Sequence, residues 1–378
     1  MALQATLVLI GALISNVILT IIWIQWNRIR PIVIGFEKYT PIIITIGLLS
    51  IYIFIFFIYK FPITGDVVNF FIPQGLQAWS GQIPNRDFPS SYMPLFPYVT
   101  GAIYSIYRDE HILGLFFTLC MCIFAFLFPV FLRQMQIFET SQSVLLINGF
   151  LNSAIWVLGI GYQQDELYTI LLLGLLFITF NKKLDFLTGI IAGFVLFLTK
   201  ITTVIFWLPF FLLSNKKSEF VAGLSFSTIP IMGLFLALGF SPAKMLSQES
   251  TAVVPPSLIT NFQIIPSIYL FLHDHPLIPY FINVVILGLI GIFILKKRPN
   301  RSPLKLLSLT TAIWLIFIVL SLKSLTSYRI LVIPLIPFML EVYRQRWKWV
   351  PFCFAAYCSL ISIHVMFYED WDRITKIH

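Results

Sequence analysis

Apolar runs of about 20 residues recur from one end of this chain to the other, and nothing else constrains its fold as strongly. At 1.5 Å per residue, a helix of that length crosses the ~30 Å hydrocarbon core of a bilayer. No polar segment between the runs is long enough to fold alone, so the 378 residues carry no separate domain count. Soluble domains hold about 25% charged residues, whereas this chain holds 11%, against 58% hydrophobic, which excludes a soluble reading. The sequence therefore predicts one integral-membrane domain over 1–378. It is all-α and polytopic, with about 12 transmembrane helices (roughly 10 to 13) plus interfacial helices. The spans are read at 3–26, 41–59, 111–132, 144–161, 166–180, 186–199, 201–214, 221–240, 277–295, 304–322, 330–343 and 350–367.

The formal charge of +9 raises the question of a nucleic-acid partner, and its distribution answers it. With these spans, alternate loops on one side hold 16 cations against five acids, from Arg28 and Arg30 through Lys296–Arg298 to Lys348. The other side holds nine cations against eleven acids. Positive charge kept in cytoplasmic loops accounts for the basic balance, so no nucleic acid is expected. The first loop (60–110) and a second long loop (241–276) then face outward, in a multi-pass protein of the cell membrane. Cys120, Cys122, Cys353 and Cys358 fall inside apolar runs and read as packing residues. Residues 2–26 have no basic region before the apolar run and no clear cleavage site, and so read as a retained span.

The first outward segment, Phe61–Tyr107, is far longer than the two to eight residues usual for a connection. It carries Asp66, Arg86 and Asp87 among Phe70, Phe71, Trp79, Phe88 and Tyr92. VVNFFIPQGLQAWSG reads as a short helix ended by Gly81 and Pro84, and PLFPYVTGAIYSIY as a second interfacial one. A carboxylate at a membrane surface, walled by aromatic rings, is a candidate for proton transfer. The adjacent Arg86 makes a structural ion pair the simpler role for Asp87.

Further along, GYQQDELY puts Gln164 and Asp165 at an outer boundary, either as a helix start that suits the macrodipole or facing the same space as Asp66. A long apolar stretch with Lys200 at its centre is bracketed by Lys182–Lys183 and Lys216–Lys217. With both brackets cytoplasmic it must turn back as two short helices, with Lys200 at the outward turn. One long helix with Lys200 snorkelling is the alternative. His273, Asp274 and His275 lack metal-ligand spacing. A capping Asp with interfacial histidines explains them, or His273 contacts substrate. Lys323, Tyr328 and Arg329 read either as snorkelling residues or as a phosphate clamp together with Lys200. No site for a metal or cofactor is read anywhere in the chain.

An outward carboxylate with several cations at one membrane level suits a lipid-phosphate donor. A sugar carried on a polyprenyl phosphate departs from a phosphate monoester, whose charge Lys or Arg stabilises, while an Asp takes the acceptor's proton. The order of motifs resembles the GT-C superfamily of membrane glycosyltransferases. The resemblance rests on Asp66 with Phe70, Gly81-Gln82-Ile83-Pro84, Arg86-Asp87-Phe88 and Tyr92-Met93-Pro94-Leu95. Gln163–Asp165, Ala192–Lys200 and Lys323–Pro337 follow in the family's order, over about two-thirds of the chain. Asn85 replaces the aromatic usual after Pro84, and the second acid of the first loop is Asp87 rather than a direct neighbour of Asp66. The resemblance implies an inverting glycosyltransferase, a hexosyl- or pentosyltransferase acting in cell-envelope assembly, with Asp66 as general base. The donor would be a polyprenyl- or dolichyl-phosphate sugar, as in mannosyltransferases. Substrate contacts would come from Arg86, Asp87, Tyr92, Gln164, Asp165, Lys200, His273, Lys323, Tyr328 and Arg329. With no soluble domain expected after the spans, a glycan or lipid is the favoured acceptor. The rival reading is a secondary transporter, or a lipid-binding membrane protein without catalysis. A transporter predicts broken spans in matching halves and ionisable residues at the midplane, whereas the charges here sit at the edges of the runs.

Overall fold

The computed structural model of the chain describes residues 10, 14, 17–18, 21–22, 24–33, 39–58, 66–135, 166–251, 277–297 and 301–320. The regular elements among them are helices, beside two isolated β-bridges that pair Pro84 with Phe88 and Tyr92 with Lys200. In chain order they are α1 (Trp26–Val33), α2 (Thr40–Ile53), α3 (Ile72–Trp79), α4 (Leu95–Ile106), α5 (His111–Met135) and α6 (Glu166–Asn181). There follow α7 (Asp185–Phe197), α8 (Trp207–Leu213), α9 (Lys217–Ala237), α10 (Pro242–Thr251), α11 (Leu277–Lys297) and α12 (Pro303–Leu320). A π turn, Phe54–Ile58, extends α2, and another, Val67–Phe71, leads into α3. Among the described residues, α9 is the one helix long and apolar enough to cross a membrane. The runs read at 144–161, 330–343 and 350–367 lie outside the described residues, as does most of 3–26.

The chain divides into two compact units. The first comprises Met1–Pro73, Ile103–Asn181 and Ile330–His378. Within it α5 packs against α2 and α6. Asp109 starts α5, because its Oδ1 accepts the His111 backbone N–H at 2.8 Å and satisfies a donor that the first helical turn leaves unpaired. The same oxygen lies 2.5 Å from His111 Nδ1. Tyr52, fully buried on α2, donates its O–H to the His111 carbonyl at 2.6 Å, and the ring of Phe56 packs between them. Where α5 meets α6, Gly174 lets the Phe124 ring lie where a Cβ would sit, at 3.0 Å.

The second unit comprises Gln74–Ala102 and Lys182–Arg329, and its spine is the crossing of α7 with α9. Gly189 and Gly193, one turn apart on α7, face Gly223 and Ser227, one turn apart on α9. A Cβ on Gly189 would run into the Phe220 carbonyl, and one on Gly223 into that of Phe186, so only glycine permits backbones this close. The chain then doubles back after α7. Trp207 Nε1 on α8 donates to the Ala192 carbonyl on α7 at 3.0 Å, and the Lys216 backbone N–H donates to Asp185 Oδ2 at 3.0 Å. The two ends of the stretch bracketed by lysine pairs are thus side by side, with Lys200 at the reversal. The returning limb is not uniformly α-helical, because Ile201–Phe206 is a 3₁₀ turn. Ile201 to Ile205 are β-branched throughout, which disfavours the α form. Pro209 falls in the first turn of α8, where its missing N–H costs nothing.

Three loops of this unit are tied by one buried ion pair. Asp185, 2% exposed, bonds Arg301, 8% exposed, across 116 positions of sequence. Phe206 stacks on Trp314 of α12 at 4.7 Å, which fixes that helix beside the reversal. The second long loop, read at 241–276, begins as helix α10. Pro242 occupies the first helical position and Ser241 Oγ accepts the Lys244 N–H, a start signal present in the sequence.

Candidate functional site

The loop between α3 and α4 is built from its turn residues upward. Gly81 takes φ +90° as the chain leaves α3. Asn85, buried, takes φ +58°, which Asn tolerates far better than an aromatic or β-branched residue. Its amide grips Ser90 at both ends, Nδ2 donating to the Ser90 carbonyl at 3.0 Å and Oδ1 accepting the Ser90 N–H at 3.1 Å. This gives a physical reason for asparagine after Pro84. Ser90 Oγ then accepts the Tyr92 N–H at 3.1 Å and lies 3.0 Å from Gln74 Oε1, so the strand-like stretch that follows is anchored to α3.

Arg86 and Asp87 form a bidentate pair, with Nε to Oδ1 at 2.9 Å and Nη2 to Oδ2 at 2.7 Å. Asp87 Oδ2 also accepts the Ile83 N–H at 2.7 Å. Arg86 Nη1 donates to the Leu238 carbonyl at 2.7 Å, at the C-terminus of α9, where a cation complements the helix dipole. Gly239 makes this possible. Its φ is +91°, and a Cβ there would meet Arg86 Cδ at 2.7 Å. The guanidinium and the Ile83 N–H hold the Asp87 carboxyl down at about 2. Such a group is a weak base, and its pairing is that of a structural joint.

Tyr92 and Lys200 come together directly. Their backbones form an antiparallel bridge, and the Met93 N–H donates to the Thr199 carbonyl at 3.0 Å. The Tyr92 ring stacks on Phe96 at 4.3 Å and 18°, and the Lys200 ammonium lies over the Tyr92 ring, 5.0 Å from its centroid. Both residues are buried. Lys200 has extended backbone, and the turn around it is braced by Thr203, whose Oγ1 donates to the Lys200 carbonyl at 2.8 Å and meets Thr199 Oγ1 at 3.0 Å. Beneath lie Ile83, Met93, Leu196, Phe197, Phe235 and Phe240, a core shared by the loop, α7 and α9.

Asp66 belongs to the first unit, half-buried at the head of the Val67–Phe71 turn. Its backbone is helical there, and in the same turn Phe71 is buried against Phe117 of α5 at 5.8 Å. Phe70, in contrast, is exposed. Gln164, Asp165, His273, Lys323, Tyr328 and Arg329 lie outside the described residues. The sequence reading missed the Asp185–Arg301 pair and the Asp109–His111 pair. The second carried a local signal, an acid two positions before a histidine at a helix start, and the first carried none. Asp109 is held below the usual carboxylate range, chiefly by the His111 N–H. Among the described residues no cluster of three His, Cys, Asp or Glu side chains forms a metal site.

Comparison of the chain with models of protein families, with curated proteins and with solved structures finds no match.

Proposed function

We propose that this chain is a polytopic membrane glycosyltransferase that moves a sugar from a polyprenyl-phosphate donor to a glycan or lipid acceptor on the extracytoplasmic face. Its helices suit a lipid solvent. Phe226 and Ile229 on α9 are 67% and 68% exposed, and Phe281 and Val284 on α11 are 69% and 68% exposed, which is costly in water and favourable in hydrocarbon. Small residues spaced four apart on both helices of a crossing, as at Gly189–Gly193 and Gly223–Ser227, are the way membrane helices associate.

The observation that carries the reading is the placement of Lys200. Lys200, a buried lysine, sits at a chain reversal, fastened by a backbone bridge and a ring contact to Tyr92 of the loop between α3 and α4. In the proposed reaction Asp66 takes the proton from the acceptor hydroxyl. The acceptor oxygen attacks the anomeric carbon from the face opposite the leaving group, and the carbon–oxygen bond to the phosphate breaks. The electron pair leaves with the polyprenyl phosphate, whose charge a basic side chain stabilises. Asp87 keeps the loop in shape and takes no proton.

Incubating the purified protein with radiolabelled polyprenyl-phosphate sugars and a panel of glycan and lipid acceptors tests this. Label passing to an acceptor from at least one donor supports the reading. Absence of transfer from every donor, by protein shown to bind the lipid phosphate, contradicts it.

A further inference from the structure

One end of the second unit gathers its charge around Asp185. The buried carboxylate accepts the Lys216 backbone N–H at 3.0 Å and pairs with the Arg301 guanidinium, so the segments 182–185, 216–219 and 301–305 meet there. These segments hold six cations, Lys182, Lys183, Lys216, Lys217, Arg301 and Lys305, against two acids, Asp185 and Glu219. Arg301 neutralises Asp185, Lys216 pairs with Glu219 at 2.7 Å, and Lys217 Nζ donates to the Ser214 carbonyl at 3.1 Å. Lys182, Lys183 and Lys305 are exposed and make no hydrogen bond or ion pair among the described residues. Apolar surface begins directly beside them. Leu184, Phe186 and Leu187 are exposed at the start of α7, and the Phe186 ring meets that of Phe226 on α9 at 6.2 Å. Exposed rings thus run from the charged end along the α7–α9 crossing.

We propose that this end of the second unit binds a phospholipid with a net negative headgroup. Lys182 and Lys183 take the headgroup, Lys305 adds to the field, and an acyl chain lies along Phe186 and Phe226. Exposed cations above an exposed apolar strip match both parts of such a lipid, and the charge split of the sequence puts these loops on the cytoplasmic side. A zwitterionic lipid offers the same chains and the same phosphate but brings a cation of its own, so the positive patch selects against it. The inference rests on the membrane reading and not on sugar transfer.

The test uses the purified full-length chain in mixed micelles and equilibrium binding of radiolabelled phosphatidylglycerol, with phosphatidylcholine and inorganic phosphate as competitors. Each lysine close to an anionic lipid contributes roughly fivefold in affinity. Lys182→Gln together with Lys183→Gln is therefore expected to weaken phosphatidylglycerol binding about 10- to 30-fold, and Lys305→Gln about two- to fivefold. All three side chains are exposed, so these variants keep the fold. Lys244→Gln, an exposed position beyond the other end of α9, is the control and should change binding less than about twofold. Raising the salt from about 0.1 M to about 0.5 M should weaken binding to the wild type far more than to the double variant. Equal binding by wild type and double variant overturns the site. Phosphatidylcholine that displaces the label as well as unlabelled phosphatidylglycerol overturns the selection by charge. Displacement by inorganic phosphate at the same concentration overturns the lipid assignment. A protein that shows the expected binding yet transfers no sugar refutes the transferase reading and leaves this one standing. Sugar transfer by a protein whose lipid binding ignores these lysines does the reverse.

Discussion

Replacing Arg301 by leucine leaves the Asp185 carboxylate, 2% exposed, without its guanidinium. Breaking one side of a buried ion pair costs about 3–5 kcal/mol. Arg301→Leu is therefore expected to lower the unfolding free energy by about 3–5 kcal/mol at neutral pH. Asp185→Leu buries the Arg301 guanidinium without its carboxylate and should cost a similar amount. The double variant, which removes both charges, should cost less than the sum of the two. Reversible unfolding in mixed micelles, followed by circular dichroism, measures the whole cycle. A penalty below about 1 kcal/mol for Arg301→Leu, or strict additivity in the double variant, would refute the reasoning.

Gly189→Ala should destabilise by about 1–3 kcal/mol despite the better helix propensity of alanine, because the new methyl meets the Phe220 carbonyl. Gly233→Ala on the same crossing partner α9, where nothing lies within 4 Å, should be neutral or stabilising by up to about 1 kcal/mol, and the same unfolding assay compares them. Asp87, with its carboxyl held near 2 against an ordinary 3.8, contributes stability that is complete above about pH 4 and lost as pH falls toward 2. Asp87→Asn should flatten that part of the stability profile, and an unchanged acid limb would contradict the assignment. Cysteines at positions 82 and 248, in a background lacking the native four, should both react with an impermeant maleimide on intact cells. Labelling of only one contradicts the shared outward side that the charge split predicts.

The reversal at Lys200 was legible because the chain brackets an apolar stretch with two lysine pairs, and a pattern of charge at both ends needs no knowledge of packing. The two short helices within the first loop were legible for a similar reason, since Gly81, Pro84 and Pro94 punctuate the sequence locally. The α7–α9 crossing was not read. Gly189, Gly193, Gly223 and Ser227 stand in the sequence at the right spacing, but nothing local says which helix they meet. The Asp185–Arg301 pair was illegible for the same reason, its partners being 116 positions apart. Within the candidate site, the sequence favoured a structural pair for Arg86 and Asp87, and the geometry supplies what the sequence lacked, a third partner at the end of α9. That Tyr92 touches Lys200 follows from the bridge between two segments over 100 residues apart, which no periodicity announces.

The central claim is that Asp66 takes the acceptor's proton, and one substitution addresses it most directly. Asparagine matches the size of aspartate but cannot serve as the base, and a general base contributes typically 10²–10⁴-fold. With a donor that the wild-type protein uses, Asp66→Asn is expected to bind the lipid phosphate normally and to transfer sugar at less than about a hundredth of the wild-type rate. Turnover above about a tenth of wild type, with folding and donor binding intact, would contradict the account and move the base elsewhere.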